Sequence, residues 1–217
     1  LGGNVTATAG SIVLGTTTAD DVTLTANAVL MASAGVDISG SVSGAFDLTL
    51  DSGTSTDVDE AVTTSNLTVN GGTDVDLDSA TITNLLDINL DTGADGTSTL
   101  TAGNLQGGTV QISGQGSNDT MNLNGTVSST TAGVAIDQAA QVNVAMDVTA
   151  ANGLTIDNVT TVDLAGDVDL TATTGDVNID DDDVTGIEVS GAAGSANSVT
   201  ATAGNVTLTD VSLEAAG

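Results

Sequence analysis

The stretch Leu67-Thr68-Val69-Asn70-Gly71-Gly72-Thr73-Asp74-Val75-Asp76-Leu77 decides how this chain is read. Its two short runs, Leu67-Thr68-Val69 and Val75-Asp76-Leu77, alternate apolar and polar residues. A period of two puts apolar side chains on one face of a strand and polar ones on the other. Between the runs, Asn70-Gly71-Gly72 supplies residues that tolerate the positive φ a tight bend requires. The same unit recurs along the chain at Val22-Thr23-Leu24, Phe46 to Leu50, Val142 to Met146, Val168-Asp169-Leu170 and Val206-Thr207-Leu208. Ala34-Gly35, Thr92 to Gly96 and Ala203-Gly204-Asn205 punctuate it.

Helix is disfavoured throughout, because Thr, Val, Asp, Asn and Gly dominate and long charged side chains are nearly missing. A new strand begins about every 8 to 10 residues, too evenly for a meander of long hairpins. The expected fold is therefore all-β: a single-stranded parallel β-helix, or β-solenoid, running as one continuous unit over residues 1–217. Each rung of such a fold buries only its inward residues and completes its core by stacking on its neighbours. At roughly 20 residues per rung and about 4.8 Å between strands, some ten rungs would extend over about 50 Å.

Composition narrows the partners. The chain has 29 Asp and Glu and no Lys, Arg or His, a formal net charge of -29. Salt bridges between side chains are impossible, and nucleic acid or anionic lipid would be repelled. High charge with few aromatics is also a signature of disorder, but the abundance of Val and Leu and a mean hydropathy of +0.23 give the chain apolar surface to bury. With Phe46 the single aromatic residue, the core must be narrow and filled by Val, Ile, Leu and Ala. No Cys is present, so no disulfide framework exists. No apolar run approaches the roughly 18 residues of a membrane span. Leu1-Gly2-Gly3-Asn4 shows no initiator Met and no signal-peptide pattern, and the chain reads as an excerpt or subunit of a longer fibre.

Phrases repeat imperfectly. Asn4-Val5-Thr6-Ala7-Thr8-Ala9-Gly10 is echoed by Ser198-Val199-Thr200-Ala201-Thr202-Ala203-Gly204, and more loosely by Leu170 to Gly175. The phrase Val5 to Leu14, with its echo at Val199 to Leu208, resembles the repeats of filamentous-haemagglutinin-type and other large bacterial surface adhesins. The resemblance implies a right-handed parallel β-helix on a secreted or cell-surface shaft without catalytic activity. Its expected partners are flanking repeats of the same chain, or further copies stacked head to tail through the terminal rungs.

Candidate sites are few. Gly114 to Asn122 is similar to the Gly- and Asp-rich nonapeptide of calcium-binding β-rolls, which nominates Asn118 and Asp119 as metal ligands. Only one copy is present, which lacks half the ligands of a calcium site, so an ordinary Gly-Asn-Asp turn is the preferred reading. Asp180, Asp181, Asp182 and Asp183 place four like charges in sequence, a solvated loop or a hard-cation site. Asp74, Asp76 and Asp78 alternate, so all three should share one strand face. Calcium is the one cofactor these groups suggest, and none is required.

Catalysis is not expected, since without His, Cys, Lys, Arg or Tyr only carboxylates remain, with no aromatic platform for a sugar. Thr-x-Thr triplets start at Thr6, Thr23, Thr171, Thr200 and Thr207 and resemble those of ice-binding solenoids. Their unequal spacing argues against a single file, and β-propensity explains surface Thr. Asn-x-Ser/Thr sequons begin at Asn4, Asn66, Asn118, Asn124, Asn158 and Asn205.

Overall fold

The computed structural model describes residues 1–90, 96–114, 118–180, 187–191 and 195–215. The described residues form no helix, and their parallel strands stack in about eight turns of a β-solenoid. Each rung has three faces. In one early rung they are Ala28–Ala32, Gly35–Ile38 and Val42–Ser43; in a later one, Thr109–Ser113, Thr120–Leu123 and Val127–Ser129. Elsewhere the strand runs on round the corners, as in the 17 residues Val148–Leu164.

Alternation in the sequence becomes files in space. On the first face Val5, Leu30, Leu50, Val69, Ile88, Ile112, Ile136, Ile156, Ile179 and Leu208 follow one another in register. On the third face the inward file is Val22, Val42, Val62, Ala80, Leu105, Val127, Val148, Leu170 and Val199. Members away from the two ends are almost wholly buried. Each fully buried Leu, Ile or Val is worth about 1.5–3 kcal/mol of transfer free energy, so stacking rather than any single rung holds the fold.

Rung length is not constant. Register partners are separated by as few as 18 residues, as between Thr63 and Thr81, and by as many as 29, as between Asp169 and Ser198. The corners absorb the difference while the faces keep register. Gly72 turns one corner at φ 95°, and Gln138, Asn158 and Asp210 hold φ of 57°, 52° and 53° at corners of the same edge. A positive φ is costly for a residue with a Cβ, and Asn and Asp tolerate it best. Gly103 has a different role: a Cβ there would lie 1.9 Å from the backbone oxygen of Asp78 on the preceding rung. There the rungs touch backbone to backbone.

Candidate functional site

Below the surface the faces are alike; outside they diverge. On the second face Asp37, Asp57 and Asp76 stand in register on three successive rungs. Asp74, Asp76 and Asp78 all point outward, with Val75 and Leu77 buried between them, as the alternation predicts. Register adds Asp37, Asp57 and Asp59, which lie far away in sequence. A bulge sets the pair Asp59-Glu60 opposite the single Asp78.

Adjacent strands are about 4.8 Å apart, so this is a ladder of like charges with no cationic side chain available to offset it. Partial burial pushes the Asp57 carboxyl up from its ordinary pKa, reinforced by Asp59, Asp76, Asp37 and Asp74. Asp76 is pushed up by the same means, burial first and then Asp74, Asp59 and Asp78. Farther along, the file changes to Thr101, Asn122, Asn143, Asp163 and Ser190. Neutral donors now bridge the rungs: the Asn143 amide donates to Asn122 at 2.7 Å and the Ser190 hydroxyl to Asp163 at 3.0 Å.

Of the nonapeptide, Gly114 and Asn118 to Asn122 lie within the described residues. Asn118 is exposed in its turn, whereas Asp119 is 1 % exposed. The Asp119 Oδ1 accepts the backbone N–H of Ser98 at 2.8 Å, and its carbonyl accepts the N–H of Ala140 at 2.9 Å. Asp119 thus ties its own rung to the one before and the one after. Gly114 lies close against the following rung, since a Cβ there would meet the Gln138 carbonyl oxygen. Asp180 ends a first-face strand, half-buried, in the file Asp137, Asp157, Asp180, Thr209. Asp119 and Asp180 are neither register partners nor on adjacent rungs. Asp181, Asp182 and Asp183 lie outside the described residues. Among those described, no three acidic side chains are grouped to hold a metal ion.

Comparison with known proteins finds no matching family model, curated protein or solved structure. Function must be read from the faces themselves.

The third face carries the file that spacing in the sequence concealed. The five Thr triplets do not share one line, as expected, but Thr23, Thr171 and Thr200 do, joined by Ser43, Thr63, Thr81, Gln106, Ser128 and Thr149. Sequon asparagines also divide. Asn66 uses both ends of its amide, donating to Asp47 and accepting from the Leu85 N–H, and Asn158 donates to Asp137. Asn4, Asn118, Asn124 and Asn205 are exposed.

Proposed function

We propose that the chain is a structural shaft: a β-solenoid rod of an extracellular fibre or cell-surface adhesin of the filamentous-haemagglutinin type, with no catalytic role. The observation that carries this reading is the unbroken inward file from Val5 to Leu208, on which each rung is braced by the next. Outward side chains reinforce it. Asn27 to Asp47 at 2.9 Å, Asn66 to Asp47 at 2.6 Å and Asn89 to Asn70 at 3.2 Å all link neighbouring rungs. The side-chain inventory of carboxylates, amides and hydroxyls supports the absence of a reaction centre.

The rod stacks end on end with further rungs, from flanking repeats or from another copy. Val206 and Leu208 support this, since they continue inward files from Val177 and Ile179 yet stand 43 % and 42 % exposed. One more rung would cover them. Calcium at Asn118 and Asp119, or at Asp180 to Asp183, remains an accessory element of the same proposal.

Single-molecule pulling between the two termini tests the mechanical role. A shaft resists force and yields in steps of one rung, about 6–10 nm of released chain for each rung of the lengths seen here. Collapse in a single step at low force contradicts it.

A further inference from the structure

The third-face file is unlike every other outward file. Thr23, Ser43, Thr63, Thr81, Gln106, Ser128, Thr149, Thr171 and Thr200 occupy consecutive rungs in register, and none is acidic in a chain of charge -29. All are exposed except Ser128 and Thr171, which are half-buried. Some outward residues on the other faces spend their side chains on one another, as Asn143 does on Asn122 and Asn66 on Asp47. Among the described residues, no side chain of the third-face file makes a hydrogen bond within the chain. The hydroxyls are all free for an external partner.

The chemistry of the file limits what that partner is. Anions are repelled by the whole molecule, and a cation finds no carboxylate in the file. A neutral sugar finds no aromatic platform, since the chain has no Trp or Tyr. A second copy, docked through the same face, would bring Asp21, Asp147 and Asp169 against their equivalents, because each lies two residues from a member of the file and shares its face. Water remains, and the spacing suits it.

Adjacent strands hold neighbouring hydroxyls ~4.8 Å apart. One tetrahedral water bonded to two oxygens at ~2.75 Å each holds those oxygens ~4.5 Å apart, by the geometry of two O–H···O bonds. Second neighbours in any tetrahedral water lattice have that same separation, since the same two bonds and angle define it. Six of the nine members are Thr, whose stiff χ1 fixes where the hydroxyl points, so most of the row is preset rather than mobile. Liquid water must lose entropy to bridge such a row, whereas crystalline water is already ordered.

From this we infer that the third face is an ice-binding surface, with crystalline water as its ligand. The inference is independent of the shaft reading, which concerns the core and the ends.

Ice growth in the presence of the full chain tests it, scored by crystal shape and by the gap between melting and freezing points. The native chain is expected to facet the crystals and open a gap. Thr63→Tyr with Thr149→Tyr, which raises two bulky rings in mid-file, is expected to abolish both effects. Gln111→Tyr with Thr155→Tyr, on the first face, is expected to retain them, with circular dichroism establishing that all chains keep their β-structure. Should the Tyr pair on the third face fail to fold, Thr63→Val with Thr149→Val removes hydroxyls at constant shape and is expected to narrow the gap. Round crystals and no gap with the native chain overturn the inference. So does equal loss in the first-face pair, or an unchanged gap in the Val pair.

Discussion

The second and third faces of the early rungs are built from the same strands, yet they present opposite surfaces. Ser55–Thr64 contributes Asp57 to the acidic ladder and, past the corner, Thr63 to the hydroxyl file. Asp74–Ile82 contributes Asp76 and Thr81 in the same way. Beneath them the inward residues Val58, Leu77, Val62 and Ala80 are equally buried. In a stacked fold, then, inward residues hold the structure while outward ones can repeat down a face almost without reference to it. Repetition is harmless for hydroxyls and costly for carboxylates.

The largest effect should ignore the difference between the faces. Leu77→Ala, beneath the acidic ladder, and Leu105→Ala, beneath the hydroxyl file, are each expected to cost about 2–5 kcal/mol in urea denaturation, because both side chains are fully buried. A twofold greater cost under one face would mean that the cores differ. Gly103→Ala should cost a similar amount, about 2–4 kcal/mol, since the new methyl must displace the Asp78 carbonyl.

Acidification should separate the faces. Asp57 and Asp76 have folded pKa values above the ordinary carboxylate value, so the folded state binds their protons more tightly than the unfolded chain does. Their stabilising contribution is complete below the unfolded value and is lost as pH rises through the folded one. With no Lys, Arg or His, acid creates no new side-chain charge to oppose this. Denaturation midpoints are therefore expected to rise between pH 7 and pH 4. Asp20 works the other way: N–H donors of Thr16 and Thr17, at 2.9 and 3.1 Å, and the Thr17 hydroxyl pull its pKa down. Its contribution is present above the ordinary value and disappears as pH falls through the folded one. Asp20 keeps its contribution from pH 7 to pH 4, so a net fall in stability over that range would contradict the raised pKa values of the ladder.

Smaller substitutions sharpen the contrast. Asp57→Asn with Asp76→Asn should raise the melting temperature at pH 7 and lose that advantage at pH 3, where the native carboxyls are also neutral. Transplanting the ladder by Thr63→Asp with Thr81→Asp should lower the melting temperature at pH 7 and recover at pH 3 or in high salt, which screens exposed charges beyond about 3 Å at 1 M. Thr63→Val with Thr81→Val should leave stability within about 0.5 kcal/mol, as surface changes without partners do.

Much of the fold was legible because alternation is a local signal. Leu67-Thr68-Val69 and Val75-Asp76-Leu77 both become strands with the predicted faces inward, and Gly71 and Gly72 bend the chain between them at φ 78° and 95°. Register was not legible, because corners of unequal length break any fixed period. Asp37, Asp57 and Asp76 are 20 and 19 residues apart, close enough to a repeat to have been found; Thr81, Gln106 and Ser128 are not. Asp119 was hidden for another reason. A Gly-Asn-Asp stretch reads as a solvated turn, and only the Ser98 N–H brought up from the preceding rung explains why its carboxylate is buried.

Cryo-electron microscopy of the material that contains this chain, with and without a calcium chelator, tests the shaft most directly. The expected result is long rods with a layer line near 4.8 Å along the axis, the spacing of stacked strands, and rungs continuing past residues 1–217 in both directions. Loss of the rods in chelator would make calcium a structural part of the shaft. Isolated short particles, with both terminal rungs covered by unrelated structure, would contradict it.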